Sequence, residues 1–222
     1  VIVTEIIGRF VSASNVTLLG MSGDTKVIYK PTAGNRPLWD FDVTTLAIRE
    51  VLTYRVSEVM GLGIVPETVL GDGPLGPGAV QLFIEEDDRA DPVEMIRRSD
   101  PVLWPIAVLD VVANNADRKA SHLLTERATG RLFGIDHGLT LHLDDKLRTV
   151  LWGFAGRAVP DPLVSAVRDL EGALRNDFGD ELERGLGTAE AAALESRVGD
   201  LLARPVHPDP PEHRPPIPWP PV

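Results

Sequence analysis

The fold turns on two adjoining stretches, LAIREVLTYRVSEVMGLGIVPETVL (46–70) and GAVQLFIE (78–85). From Thr44 to Met60 the apolar residues Ile48, Val51, Leu52, Val56 and Val59 recur at three- and four-residue spacing, which predicts an amphipathic helix. Thr44 or Thr45 is the expected N-cap, and Gly61 and Gly63 the stop. IVPETVL and GAVQLFIE are short apolar runs separated by a glycine- and proline-rich turn, and they predict two strands.

Upstream, EIIGRFVSAS, NVTLLGMSG and TKVIYKP are rich in β-branched and apolar residues and bounded by Gly, Asn and Asp. They predict a three-strand antiparallel meander that turns at Ser22-Gly23-Asp24 and ends at Pro31, which has no N–H for a ladder. Downstream the pattern is mostly helical. A short helix is expected over Asp91–Arg98 with Pro92 in its first turn, a buried one over Pro101–Ala113, and two more over Pro162–Leu174 and Ala189–Ala203. Between them, NNADRKASHLLT and GRLFGIDHGLTLH predict a loop, a short strand, a turn and another strand. The class is α+β: a β-rich lobe over residues 1–85 and a mostly helical lobe over 86–204. The last 18 residues, PVHPDPPEHRPPIPWPPV (205–222), are dominated by proline and should be extended or disordered. The PPIPWPP stretch could dock as a polyproline II ligand on a partner's aromatic groove, or fold back on the helical lobe through Trp219.

Bulk properties narrow the function. With 222 residues the chain can build one core, or two lobes around a cleft. A formal net charge of −11 argues against nucleic acid as a partner and against stable association with anionic membranes. The absence of cysteine excludes disulfides, thiolate zinc sites and cysteine nucleophiles. No apolar stretch approaches the roughly 18 residues of a membrane span. The chain shows no signal peptide, so a cytoplasmic location is expected.

Three separated segments carry chemistry: VIYKP with Lys30, Asp117-Arg118-Lys119-Ala120-Ser121-His122, and Gly134-Ile135-Asp136-His137-Gly138. Phosphoryl transfer needs the phosphates held, metal ions placed and the attacking oxygen oriented. A strand lysine can grip phosphates, a loop aspartate can orient the acceptor proton, and a second carboxylate can bind magnesium. The sequence supplies these in the chain order that a kinase uses. Each alone has a plainer reading: a surface lysine, a turn aspartate, a helix-capping aspartate, an interior histidine.

The 46–70 stretch followed by GAVQLFIE resembles the type II phosphatidylinositol 4-kinases and their bacterial relatives. There, a helix carrying a glutamate leads into a G-L-G-I-V-P strand and then a Q-L-F hinge strand. NADRKASH resembles the D-R-x-x-x-N catalytic loop of the wider phosphatidylinositol 3-/4-kinase-like group, and GIDHG its metal-binding I-D-x-G. The resemblance spans about Val11 to His142 and implies a compact two-lobed protein-kinase-like fold and an ATP-dependent phosphotransferase using Mg or Mn. By the same resemblance Lys30 contacts the phosphates, and Glu50 pairs with it, with Glu58 as the rival on a nearby face. Ser12, Ser14 and Asn15 lie over the phosphates. Gln81, Leu82, Phe83, Ile84 and Glu85 form the adenine-reading hinge. Asp117 orients the acceptor and Asp136 binds metal.

Two departures stand out. The family's loop asparagine is replaced by His122, whose nitrogen suits manganese better than magnesium, so His122 is expected in the metal set with either a manganese preference or a weakened second metal site. The phosphate loop has no glycine. Both keep open a nucleotide-binding pseudokinase module, and His122 also keeps open an enzyme that moves a different part of the nucleotide. The palmitoylated cysteine segment of the lipid kinases is absent, so a protein acceptor, including the chain itself, is expected rather than a lipid, with a small molecule next. His142, His207 and His213 are expected to take no part.

Overall fold

The computed structural model describes residues 1–10 and 15–221. Five strands form one antiparallel sheet: β1 (Glu5–Arg9), β2 (Leu18–Ser22), β3 (Thr25–Pro31), β4 (Thr68–Gly71) and β5 (Gly78–Leu82), in the order β1-β2-β3-β5-β4. Gly23, at φ 59°, turns β2 into β3 with Ser22 opposite Thr25. β5 lies between β3 and β4, with Ala79 opposite Lys30 and Gln81 opposite both Ile28 and Thr68. Side chains alternate along β3. Val27 and Tyr29 pack into the sheet's own apolar cluster with Val3, Leu18 and Val80, which sends Ile28 and Lys30 to the opposite face.

The helix α1 (Leu46–Val59) follows a short 3₁₀ turn, Val43–Thr45. Thr45 stands at the cap position of α1, but its side chain makes no capping bond. Instead Asp42 caps the turn, its carboxylate accepting the Thr44 N–H at 2.9 Å, because the chain enters the helix through a tighter turn than a simple cap would need. Leu52 and Val56 are fully buried, and Arg49, Glu50, Thr53 and Ser57 are buried beside them. The helix is thus enclosed on more sides than its apolar stripe predicts, since it lies between the sheet and the helical part.

The second half contains α2 (Pro92–Arg98), α3 (Trp104–Ala113), the hairpin β6 (Leu123–Thr125) and β7 (Leu132–Gly134), α4 (Asp161–Leu174), α5 (Asp177–Leu186) and α6 (Thr188–Ala203). Asp91 caps α2 and Pro92 sits in its first turn, as expected. The helix α5 was absent from the sequence reading. Its few apolar residues fall on one face, with Phe178 and Leu182 buried, but it is short, mostly polar and carries the poor helix formers Gly179 and Gly185. The main core joins Leu52 and Val56 of α1 to Val108, Leu109 and Val112 of α3, Val167 and Leu170 of α4, and Leu194 and Val198 of α6. Among the described residues no helix is long and apolar enough to cross a membrane.

Residues 205–221 form neither helix nor strand, but they are packed rather than disordered. Val206 bridges Ala158, and His207 is buried against Trp104, Trp152 and Phe154. The Pro216 carbonyl accepts from the Trp152 indole N–H at 2.8 Å and from the Thr149 N–H at 3.1 Å. The fold-back does not run through Trp219, which is 90% exposed. Buried His207 and Pro218 and the partnered carbonyl of Pro216 do the packing.

Candidate active site

Lys30 leaves the sheet on the face that meets α1. Its Nζ donates to Glu50 Oε1 and, at 2.9 Å, to Asp136 Oδ1. The second oxygen of Glu50 accepts the His137 N–H at 3.0 Å. One buried carboxylate therefore joins the strand lysine to the backbone of the segment after β7. The lysine's partner is Glu50; Glu58 is exposed. Burial works against the Lys30 ammonium, but the Asp136 and Glu50 carboxylates outweigh it and raise its pKa. Asp136 is held well below the ordinary carboxylate range, chiefly by the Lys30 charge. It adopts φ 61°, a left-handed conformation that aspartate tolerates better than most residues, and that is a form of local strain common at working sites.

The loop after α3 is organised from beneath by Arg118, which is wholly buried. Its guanidinium grips the carboxylate of Asp110 at 2.8–3.1 Å and donates to the carbonyls of Ile135 at 2.8 Å and His122 at 3.3 Å. It also meets His137 Nε2 at 2.7 Å. Arginine can only donate, so His137 is neutral with Nε2 accepting, consistent with a pKa pushed well below the usual by burial and then by Arg118. Arg118 thus holds both the 117–122 loop and the segment carrying Asp136. The Asn114 amide, at the end of α3, adds bonds to the carbonyls of His142 at 3.1 Å and Asp144 at 2.7 Å.

On the open side of this frame, Asp117, His122 and Asp136 each offer a ligand atom, all within 4.8 Å of one another. His122 Nε2 lies 3.4 Å from Asp136 Oδ2. Burial, aided by Arg118, Lys119 and Lys30, depresses the His122 pKa to about 4, so its imidazole is neutral and available as a ligand. Burial raises the pKa of Asp117, and Lys119, with Nζ 3.1 Å from Asp117 Oδ2, works against that rise. Two carboxylates and a neutral imidazole fit a divalent ion that accepts nitrogen as well as oxygen.

The hinge residues divide. The Gln81 side chain is buried and donates to Thr68 Oγ1 at 2.8 Å, and its main chain lies inside the sheet. The N–H groups of Leu82 and Phe83 donate to the carbonyls of Glu67 at 2.8 Å and Lys26 at 3.2 Å. The Ile84 N–H makes no hydrogen bond among the described residues, and the Glu85 carbonyl accepts from the Arg127 N–H at 2.8 Å. Ser12 and Ser14 lie outside the described residues. The Asn15 side chain accepts the Arg36 N–H at 2.9 Å.

Lys119, Arg118 and Asp110 escaped the sequence reading as site residues. Lys119 had a signal: the chain has only four lysines, and two of them lie at this cleft.

No family model matches the chain. A search of curated proteins finds the Mycobacterium tuberculosis protein Rv2133c, 39% identical over an alignment covering 97% of this chain and 91% of that protein. The chain belongs to the Rv2133c family. Among solved structures, the Helicobacter pylori proinflammatory kinase CtkA superposes with a TM-score of 0.60, covering 91% of this chain and 92% of that one at 14% identity. Hydra Fam20, solved with sugar, superposes with a TM-score of 0.53 at 13% identity, covering 90% and 85%. This member of the Rv2133c family therefore has a two-lobed, kinase-like α+β fold.

Proposed function

We propose that the chain is an ATP-dependent phosphotransferase related to the phosphatidylinositol 3-/4-kinase-like group, acting on a protein, including itself, or on a small molecule. The lobes divide at residues 1–85 and 86–204, with the tail at 205–222. The carrying observation is the joint placement of Lys30, Glu50 and Asp136 in one ion-paired cluster beside Asp117 and His122. Residues from three distant parts of the chain converge there, and a lysine–glutamate pair next to a metal-suited carboxylate is what phosphate positioning requires.

Lys30 binds the phosphates, held in place by Glu50. Asp136, with His122, would hold Mg or Mn, which when bound neutralises charge on the phosphate oxygens. Asp117 orients the acceptor hydroxyl and receives its proton, and its raised pKa suits that task. Lys119 shifts from Asp117 to the transferred phosphoryl group. Phe83, Ile84 and Glu85 face adenine, with the Ile84 N–H as the available donor.

Calorimetric titration with ATP, in magnesium and then manganese, tests the reading. Metal-dependent binding is expected, lost in Asp136→Ala. Asp117→Asn should keep the binding and lower phosphate transfer by about 10²-fold or more, followed by mass spectrometry of the protein's own serines and threonines. His122 in the asparagine position favours one alternative, a nucleotide-binding pseudokinase module. In that case ATP binds, and Asp117→Asn changes nothing measurable.

A further inference from the structure

The tail does not merely lie against the helical lobe; it completes the support of the catalytic loop. Arg118 and Thr149 form a parallel bridge, with the Arg118 N–H donating to the Arg148 carbonyl at 3.1 Å and the Val150 N–H to the Arg118 carbonyl at 3.2 Å. On the other side of that segment, the Thr149 N–H donates to Pro216. The loop, the 148–150 segment and the tail are therefore three extended pieces side by side. Beyond Pro216 the tail reaches the loop directly: the Ala120 N–H donates to the Pro221 carbonyl at 2.9 Å. Ala120 is buried and lies three residues after Asp117, so without Pro221 a buried N–H would lose its partner.

The anchors along the way are specific. Arg214 pairs with Asp145 at 2.7 Å and donates to the Leu147 carbonyl, and His207 fills an aromatic nest of Trp104, Trp152 and Phe154. Proline suits such a strap. It has a fixed φ, no N–H of its own to satisfy, and a carbonyl free to accept. Among the described residues, none of the tail's hydrogen bonds goes to Lys30, Glu50, Asp136 or the hinge.

From this we infer that residues 205–221 are a positioning strap for the catalytic loop, with the Pro221 and Pro216 carbonyls as its contact points. It acts on turnover through Asp117 and leaves nucleotide binding alone. The effect on turnover rests on the phosphotransferase reading above, whereas the hold on the loop does not.

Two variants of the full chain test it. One ends after Pro216, removing the contact to Ala120 and the buried Pro218 but keeping the anchors at His207, Arg214 and Pro216. The other is Trp152→Phe, which deletes the indole donor to Pro216 and keeps a smaller aromatic ring beside His207. Hydrogen exchange is read at residues 117–122 and, as a control, at β3 and β5, together with the Kd for manganese–ATP and the kcat of transfer. The shortened chain should exchange at least about tenfold faster at Ala120, bind ATP unchanged, and turn over about tenfold or more slowly, with Trp152→Phe intermediate. Unchanged exchange at Ala120 in both variants overturns the strap. Faster exchange over the whole molecule also overturns it, because that marks a merely structural role. If the parent chain transfers no phosphate, the exchange result still decides the strap, and the failure belongs to the proposed activity.

Discussion

At the scale of the residue, the site depends on a few side chains whose environments differ sharply. His122 is the one that departs from the oxygen ligand expected at its place, and its neutrality follows from burial beside three cations. Replacing it with asparagine restores an amide oxygen. His122→Asn should lower the ratio of manganese- to magnesium-supported ATP affinity by about tenfold, measured by titration with each metal. Arg118 and Asp110 illustrate a different economy. Both are buried, and among the described residues the hydrogen bonds of the Asp110 carboxylate go to Asn115, Arg118 and Thr149. Removing the acid leaves a buried guanidinium without its counter-charge, which costs far more than the pair contributes relative to an apolar replacement. Asp110→Ala is therefore expected to destabilise the fold by about 3–5 kcal/mol in denaturant unfolding. The sequence places Arg118 in the chemistry-bearing 117–122 segment and Asp110 in an apolar helix, but their pairing, eight positions apart, shows only once the fold turns both inward.

Among the elements, the strands and long helices were legible from runs of apolar residues at strand and helix spacing with clear stop signals at their ends. Tyr29 and Lys30 fall on opposite faces of β3, as alternation requires, and Leu52 and Val56 of α1 sit in the core that their spacing implied. What failed was composition-based: α5 is short, mostly polar and carries two glycines although its apolar residues share one face, and the prolines of the tail say what it cannot form without saying what it packs against. The tail's docking should depend on pH through His207. The groups facing it are Trp104, Trp152, Phe154, the Pro208 carbonyl at 3.0 Å, and the charges of Asp110 and Asp209. Burial lowers its pKa below the ordinary value of about 6.5. The undocked tail then binds more protons than the docked one over the interval just below that value, so docking weakens as the pH falls through it. Hydrogen exchange at Ala120 should accelerate between pH of about 7.5 and about 5.5 beyond its intrinsic change, and His207→Phe should remove the excess.

For the molecule as a whole, the informative feature is that its two halves meet through charge. Lys30 comes from the sheet, Glu50 from the helix shared by both halves, and Asp136 from the helical side, so the cleft is already bridged by ion pairs before any ligand enters. A metal–nucleotide complex would draw Asp136 toward the ion and Lys30 toward the phosphates, replacing one bridge by a larger one. It must then stabilise the folded state by mass action, by about 2.7 kcal/mol at a hundred times its Kd. For a chain of 222 residues, each kcal/mol raises the melting temperature by about 2–4 °C, so manganese–ATP should raise it by about 5–10 °C. Asp136→Ala tests the cause rather than the shift alone. It leaves Lys30 paired with Glu50, so the free protein should melt only slightly lower, while the nucleotide shift disappears. Lys30→Met behaves differently: Glu50 and Asp136 lose the cation between them, and two neighbouring carboxylates repel. The free protein should then melt clearly lower, and the more so as pH rises through the carboxylate range. A thermal scan of the three proteins, with and without manganese–ATP, separates a cleft held by charge for a nucleotide from one in which the same charges serve the fold alone. In the second case the shift would be missing from the parent chain too.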